Sequence, residues 1–344
     1  MQRFSRRLFL AGGVVLTLSA CGGASTSTST TSATQTASLK VMVGGLNKQI
    51  YLPNMLTQQL GYFKAQNLDV TLIDEGSGQG SETEVVAGNV DAGSGSYNHT
   101  IELQAAGKNI ETVCQFGIAP GEAEMVDARK ARSITSVRDL KGKNLGVTDI
   151  GSGTQTLTMA LLGKSGISSD QAHYVAVGAG DTFIAGIQQG KIDAGMTTEP
   201  TISRLVQSGV GKVLVDLRTP TSTRAALGGD YPFIGVFLQN TYVNGHKAVV
   251  QRLVNAYVKT LKWMHAHTAS EIAAKMPADY YAGNKDLYVA ALKNQLSIFG
   301  TDCKMPAAGP QTVLKIEQQD VSSFKGKSAN LSQTYTNTFA TQSS

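Results

Sequence analysis

The chain contains one six-residue pattern twice, GNVDAG at residues 88–93 and GKIDAG at residues 190–195. The two aspartates lie 102 positions apart, and in each copy the first glycine follows a run with helical spacing. Such a glycine can adopt the left-handed conformation that ends a helix. The β-branched and small residues after it indicate a buried strand. The repeat therefore predicts two lobes that are built in the same way.

Strand patterns alternate with helix patterns around each copy, first from Leu39 and again from about Asn144. This alternation is typical of a mainly parallel sheet with helices on its faces. From His246 onward the patterns are mainly helical. We therefore predict a bilobal α/β fold: residues 39–125 and 232–344 form lobe one, residues 133–217 form lobe two, and residues 119–132 and 216–232 cross between them.

Each repeated strand runs into a polar loop, and open α/β sheets bind ligands at the carboxyl ends of their strands. Two such ends that face each other would form a cleft. The candidate ligand-binding residues follow these strand ends and carry hydroxyl, amide or aromatic groups, apart from one glycine and one carboxylate; they are Asn47, Gln49, Tyr51, Ser94, Ser96, Tyr97 and Asn98 in lobe one, and Ser152, Gly153, Thr154, Thr198 and Glu199 in lobe two. Two alternatives stay open: the repeated glycines and aspartates form only a local turn, and Glu199 only starts a helix.

The loop GSGTQT at residues 151–156 joins a strand pattern to a helix pattern. Free N–H groups at a helix start, with nearby hydroxyls, favour an anionic group; ordinary N-capping is the alternative. The loop lacks the Lys-Ser/Thr ending of a P-loop. Lys48 is the one full cation in the candidate loops, which favours a singly charged organic anion over a strongly hydrated divalent one. Lys48 and His99 are the next candidates for the anion site.

The first twenty residues are typical of an export signal. Three arginines precede an apolar run at residues 8–18, which is shorter than the ~20 residues that a membrane-spanning helix needs. LSAC at residues 18–21 resembles the lipobox of bacterial lipoproteins, so that Cys21 would be lipidated; a cleaved signal with a chance cysteine is the alternative. Residues 5–10 also resemble a twin-arginine signal. Residues 21–38 lack charge and large apolar side chains, which predicts a disordered tether.

The charge balance argues against a nucleic-acid partner. The formal net charge of +5 includes the arginines of the first twenty residues, and no later block of basic residues is present. No later run is apolar enough for a transmembrane helix. Cys114 and Cys303 could form a disulfide in an exported protein, or they could be two separate buried thiols.

Two stretches carry a resemblance to a known family, SVRDLKGKNLGVTDIGSGTQTLTMALLGKSGI at residues 136–167 and QQGKIDAGMTTEP at residues 188–200. The closing segment YTNTFA at residues 335–340 fits the same family. The chain resembles the substrate-binding proteins of ABC transporters, of the nitrate, sulfonate and taurine type, whose fold is shared by thiamine-pyrimidine precursor proteins. The resemblance implies two α/β lobes that close on a ligand about a hinge.

The resemblance implies an exported, monomeric, membrane-anchored protein, periplasmic or on the cell surface, that captures a small organic anion of the sulfonate, nitrate or carboxylate type and delivers it to an ABC permease. A pyrimidine-precursor-binding protein or a pyrimidine-forming enzyme of the same fold is the alternative. The sequence lacks a His-Glu-x-x-His motif and a Gly-x-Ser-x-Gly elbow. His265 and His267, two apart, would face different sides of a helix. We therefore expect no catalysis, metal or cofactor; a sensor module would need a signalling segment that is not visible.

Overall fold

The structure, a computed structural model, describes residues 35–343. The predicted signal peptide, Cys21 and most of the predicted tether lie outside the described residues. The first strand begins at Ala37, so that the last two residues of the predicted tether belong to the folded body. No helix within residues 35–343 combines the length and the apolar character needed to cross a membrane.

The described residues contain two mixed sheets of five strands each. The strands are β1 (Ala37–Val43), β2 (Leu68–Asp74), β3 (Ala92–Ser96), β4 (Ile110–Gln115), β5 (Glu122–Asp127), β6 (Asn144–Val147), β7 (His173–Ala176), β8 (Ala194–Thr198), β9 (Gly211–Leu217) and β10 (Ile234–Gln239). Their order is β2-β1-β3-β10-β4 in the first sheet and β7-β6-β8-β5-β9 in the second.

The two sheets have the same plan. In each sheet four strands run in the same direction, and the fourth strand in spatial order is antiparallel to both of its neighbours: β10 pairs with β3 and β4, and β5 pairs with β8 and β9. The chain enters the second sheet at Glu122 and returns to the first at Ile234. Residues 122–125, which the sequence analysis places in lobe one, lie in the second sheet because β5 pairs only with its strands.

Fourteen helices pack around the sheets within the described residues. They are α1 (Leu52–Gln59), α2 (Tyr62–Ala65), α3 (Gly78–Ala87), α4 (Asn98–Ala105), α5 (Gly153–Lys164), α6 (Asp181–Gln188), α7 (Thr201–Gln207), α8 (Pro220–Leu227), α9 (Asn240–Gly245), α10 (Lys247–His265), α11 (Ala269–Ala273), α12 (Lys285–Gln295), α13 (Gly309–Asp320) and α14 (Thr338–Gln342). Short 3₁₀ turns add to these, including Gln49–Tyr51 and Ala278–Tyr281.

The repeated sequence pattern has the same structural role in both lobes. Gly88 and Gly190 have φ values of +77° and +71°, and each follows a helix, a backbone conformation that glycine adopts at little cost. The aspartates Asp91 and Asp193 then accept a hydrogen bond at 2.8 Å from a backbone N–H of the neighbouring strand. In each copy of the repeat the glycine thus ends a helix, and the aspartate bonds to the neighbouring strand of the sheet.

A disulfide joins Cys114 of β4 to Cys303, which lies 189 positions further along the chain. It ties the C-terminal helical region to the first sheet. Since cross-linking a long loop reduces the entropy of the unfolded chain, we expect Cys114→Ser with Cys303→Ser to lower the free energy of unfolding by roughly 3 kcal/mol. Urea unfolding of the oxidised protein and of the double variant measures this. Equal midpoints for the two proteins would contradict the expectation.

Candidate functional site

A small cavity of about 20 Å³ lies where the two sheets meet. It is lined by Lys48, Ile50, Tyr51, Gly78, Ser96 and Phe233 from the first lobe and by Glu122, Thr148, Ser152, Gly153 and Thr154 from the second. Five of the candidates from the sequence therefore meet here, namely Tyr51, Ser96, Ser152, Gly153 and Thr154. The lobes touch closely, because a Cβ atom at Gly153 would lie 2.5 Å from Ser96 Oγ.

The start of α5 forms one wall of this cavity. Ser152 is its N-cap and accepts a hydrogen bond from the Gln155 N–H. The Thr154 hydroxyl accepts from the Thr148 N–H at 2.9 Å and lies 2.7 Å from Ser152 Oγ. The two hydroxyls thus hold the loop in shape. The first-turn N–H groups of Gly153 and Thr154 have no acceptor within the helix, so a helix start is directed at the cavity and favours negative charge there.

Lys48 brings a positive charge to the opposite wall. Its side chain is buried, and Nζ donates to the carbonyl oxygens of Gly44 at 2.7 Å and Gly76 at 2.8 Å. Burial lowers the pKa of the Lys48 ammonium to about 8, although nearby carboxylates, chiefly Glu122, act in the opposite direction. An ammonium has three donors, so one remains for a bound group.

Glu122 also lines the cavity, although it is not among the candidates from the sequence. It opens β5, is 2% exposed and lines the cavity beside Lys48. Burial raises the pKa of its carboxyl to about 8, and Lys48 acts in the opposite direction. Among residues 35–343, its Oε2 has no hydrogen-bond partner. The one available signal in the sequence was an acidic residue at the first position of an otherwise buried strand.

A second, wider pocket of about 310 Å³, referred to below as the mouth, shares the lining residue Lys48 with the cavity. Asn47 and Glu199 line this mouth, together with the carboxylates Asp74, Glu75 and Asp279. Arg204 also lines it, and its guanidinium is paired with Asp181. The mouth therefore carries more negative than positive charge.

Five other candidates do not line the cavity, because their side chains bond within the fold. Gln49 Nε2 donates to the Tyr288 carbonyl at 2.8 Å. The remaining contacts are Ser94 Oγ to the Gly235 carbonyl, Tyr97 OH with Thr334 Oγ1, Asn98 Nδ2 to Glu102 Oε1, and Thr198 Oγ1 to the Gly121 carbonyl. In this structure the five side chains are bonded within the fold and are not among the residues that line the cavity.

Glu199 has a double role at the junction of the lobes. Its buried carboxylate pairs with Arg218 at 2.8 Å and accepts a hydrogen bond from the Ser203 N–H in α7. Its main-chain oxygen accepts from the Gln49 N–H at 3.1 Å, a direct link between the lobes. One carboxylate oxygen of Glu199 therefore binds the start of α7, as the alternative interpretation of the sequence expects, and the other oxygen pairs with Arg218.

His99 is fully buried and lies 3.0 Å from Glu82 through Nδ1. Burial alone would lower the pKa of the imidazole, but Glu82 and Glu102 outweigh it and raise this pKa to about 10. A histidine that stays protonated in a carboxylate cluster serves as a structural cation and is a poor general base at neutral pH. Within residues 35–343, no group of three or more His, Cys, Asp or Glu side chains is arranged to hold a metal ion.

Comparison with known families decides the affiliation. The profile of the family described as NMT1/THI5 like matches residues 50–270, well over half of the chain. The chain belongs to the NMT1/THI5-like family. The matched residues include Ile50 and Tyr51 of the cavity, the β6–α5 loop and both crossings between the sheets, while Lys48 lies just before the match.

The curated relatives of this NMT1/THI5-like protein match it over part of their length. The 4-amino-5-hydroxymethyl-2-methylpyrimidine phosphate synthase THI13 of Saccharomyces cerevisiae is 30% identical over 151 residues, which cover 43% of this chain and 42% of that protein. The synthase of Schizosaccharomyces pombe is 27% identical over 150 residues, 43% of this chain and 41% of its own. The matched stretch thus spans about two fifths of these relatives.

Solved structures match over almost the whole body of the NMT1/THI5-like chain. A Bordetella bronchiseptica RB50 protein is 30% identical, with a TM-score of 0.84 over 89% of this chain and 96% of that one. The alkanesulfonate-binding protein SsuA of Xanthomonas axonopodis pv. citri, bound to MOPS, is 19% identical, with a TM-score of 0.62 over 85% and 93%. The periplasmic nitrate-binding protein NrtA of Synechocystis PCC 6803 is 10% identical, with a TM-score of 0.71 over 90% and 88%. The predicted bilobal periplasmic-binding-protein fold is confirmed.

Glu122 should make the free energy of unfolding decrease as the pH rises from 5 to 8. Its pKa in the folded NMT1/THI5-like protein is raised from 4.5 to about 8, so the stability that it contributes is present below pH 4.5 and is lost as the pH rises towards 8. Glutamine does not titrate. We expect the free energy of unfolding of Glu122→Gln, relative to the wild type, to increase by roughly 2–3 kcal/mol between pH 5 and pH 8. Urea unfolding at a series of pH values measures this, and a difference that is constant with pH would contradict it.

Proposed function

We propose that this protein is the extracytoplasmic solute-binding component of an ABC importer, which closes its two lobes on a small polar solute and delivers it to a membrane permease. The observation that carries the proposal is the cavity at the sheet junction, whose walls come from both lobes. A site divided between two bodies links ligand binding to their closure. The Xanthomonas and Synechocystis neighbours, an alkanesulfonate-binding and a nitrate-binding protein, support the same class of function.

The anionic end of the solute binds between Lys48 and the start of α5. Lys48 presents a buried ammonium from the first lobe, and the first-turn N–H groups of Gly153 and Thr154 come from the second. Each of these groups favours negative charge. An organic anion that contacts both lobes stabilises the closed form, whereas an anion held by one lobe would not.

A pyrimidine-forming enzyme is the second candidate, because the yeast relatives are named as pyrimidine phosphate synthases. The two functions differ in what happens to the solute. An importer component returns its solute chemically unchanged after long incubation, while an enzyme converts it. Mass spectrometry of the solute before and after incubation with purified residues 35–344 separates the two functions.

Export and anchoring complete the proposed function. The N-terminal arginines, the apolar run and LSAC support a signal peptide followed by a lipidated Cys21. We expect metabolic labelling with palmitate to mark the wild-type protein in bacterial cells and Cys21→Ser to lose the label. Cys114→Ser is the matched control, since that cysteine forms the disulfide. Unchanged labelling of the Cys21 variant would contradict the lipid anchor.

A further inference from the structure

We propose that the exposed face of α10 lies against the anionic lipid surface of a membrane, so that the protein is held in one orientation beside its anchor. This inference rests on the export and anchoring part of the proposed function and adds a contact surface to it. The observation that carries it is a helix with four basic residues and no acidic residue, next to the point where the chain enters the folded body.

The charge of α10 is one-sided. Its 19 residues lack Asp and Glu, and its lysines and arginine are Lys247, Arg252, Lys259 and Lys262. The three lysines are exposed and Arg252 is half-buried, while most of the apolar side chains of the helix are buried. At 3.6 residues per turn the four basic positions fall within an arc of about 140°. The helix thus presents these four residues, here called the basic stripe, to solvent.

The helices around the basic stripe do not neutralise it. None of the ion pairs among residues 35–343 includes one of its four members. The helices α1, α2, α9 and α14 pack against α10 and lack Asp and Glu, and α2 adds the exposed Lys64. Acidic residues come only from the strands in contact with α10, as Asp69 and Asp74 of β2 and Glu111 of β4.

The basic stripe differs in charge from the rest of the folded body. The chain has 30 Lys and Arg and 25 Asp and Glu, and three of the arginines precede residue 35, so that the body has a formal net charge of +2. Since the stripe alone carries +4, the remaining surface is slightly negative, and the mouth is lined by Asp74, Glu75 and Asp279. An anionic surface therefore attracts α10 more strongly than the rest of the body, which fixes an orientation.

The chain enters the folded body beside the basic stripe. The Arg252 guanidinium donates to the carbonyl oxygens of Gln35 at 3.1 Å and Asn67 at 3.0 Å, so the first described residue lies against α10. Fourteen residue steps separate Gln35 from Cys21, the proposed site of lipidation, and a segment of that length spans at most about 50 Å. The anchor would therefore keep α10 at a high effective concentration near the lipid surface, where a weak attraction is sufficient.

An aromatic side chain on the same helix lies beside the stripe. Trp263 follows Lys259 by four positions, which places the two side chains next to each other on the helix surface. It is half-buried and stacks on His267 with 3.9 Å between the ring centroids. Tryptophan rings are enriched where membranes meet water. The sequence contains one tryptophan, so the tryptophan fluorescence of the protein reports on this face alone.

The experiment uses the chain from residue 22, which keeps the whole folded body and carries no lipid. It is mixed with vesicles of phosphatidylglycerol and phosphatidylcholine in equal parts, or of phosphatidylcholine alone. Salt is set at about 10 mM or about 100 mM, between which the Debye length falls from about 30 Å to about 10 Å. We expect co-sedimentation with the mixed vesicles at low salt, weaker binding at higher salt and none with phosphatidylcholine. The mixed vesicles should also shield Trp263 from quenching by acrylamide.

A pair of double variants assigns this binding to the stripe. Lys259→Gln with Lys262→Gln removes two of its charges and keeps a similar helix propensity. Because one basic residue near an anionic surface contributes about fivefold in affinity, the variant should bind the mixed vesicles about 30-fold more weakly. Lys141→Gln with Lys212→Gln makes the same charge change at exposed positions of the second lobe. This control should stay within about threefold of the wild type, and thermal unfolding shows that both variants are folded.

Three results would overturn the inference: no binding to the mixed vesicles at low salt, equal losses of affinity in the two double variants, or quenching of Trp263 that the vesicles do not change. The first of these would leave an acidic protein surface as the partner of the stripe. Palmitate labelling of Cys21 is measured separately. A protein that is labelled but fails these tests keeps its anchor without the surface contact, whereas an unlabelled protein that passes them binds lipid through α10 alone.

Discussion

Replacing Gly153 with valine is expected to weaken solute binding by more than about hundredfold while leaving each lobe folded. A Cβ at this position would lie 2.5 Å from Ser96 Oγ and 2.8 Å from Phe233 Cζ, two atoms of the opposite lobe. Neither distance is compatible with ordinary van der Waals contact, and the Phe233 ring is buried and cannot move aside. The lobes must stay apart, so solute contacts from one wall are lost.

The backbone at Gly153 is not the obstacle, because this residue is the first of α5 and does not have a positive φ. Gly186 in α6 gives the control: its added Cβ would meet Val177 Cγ1 at 3.4 Å, an ordinary contact. Calorimetry should show wild-type affinity for Gly186→Ala. Small-angle scattering should show solute-driven compaction for the wild type and none for Gly153→Val. Compaction of the Gly153 variant would contradict the closed arrangement of the lobes.

Lys48→Met should weaken the binding of an anionic solute by several hundredfold, about 3–4 kcal/mol. Methionine keeps the length and the apolar stem of lysine but removes the buried cation. The loss includes the bond to the solute and the anionic end of the solute that is left unpaired, since truncating one partner of a buried charge pair costs several kcal/mol. Burial lowers the pKa of the Lys48 ammonium to about 8, so wild-type affinity should also fall as the pH rises above that value.

Calorimetry at pH 7 and pH 9 measures both effects. Lys141→Met, at an exposed position, is the control and should bind as the wild type does. The pH dependence above pH 8 should disappear in Lys48→Met. An affinity that is independent of Lys48 would move the anion site away from this cavity.

The sequence predicted the fold well because the fold depends on local patterns. The duplicated glycine ends a helix, and the duplicated aspartate bonds to the neighbouring strand. Both features are encoded within a few residues. The predicted strand–loop–helix arrangement at residues 151–156 is present for the same reason, since a strand, a capping serine and a helix follow one another directly.

Side-chain direction and distant partners decide which of the candidate residues line the cavity. Ser96, the last residue of β3, lines the cavity, whereas Tyr97 already belongs to the turn into α4 and packs away from the cavity against Tyr335. Glu122 and Phe233 reach the cavity from the two crossings between the sheets, far in sequence from the loops that follow the parallel strands. No local pattern shows which crossing residue will face a cleft, because that depends on how the two sheets are placed.

Hydrogen–deuterium exchange with and without a solute that raises the melting temperature tests the central claim most directly. If the two lobes close on the solute, exchange should slow together in residues 44–51 and 94–98 of the first lobe and in residues 148–156 of the second. The solute should then be recovered chemically unchanged. Protection confined to one lobe, or recovery of a converted solute, would contradict the account of a solute-binding protein that works by closure.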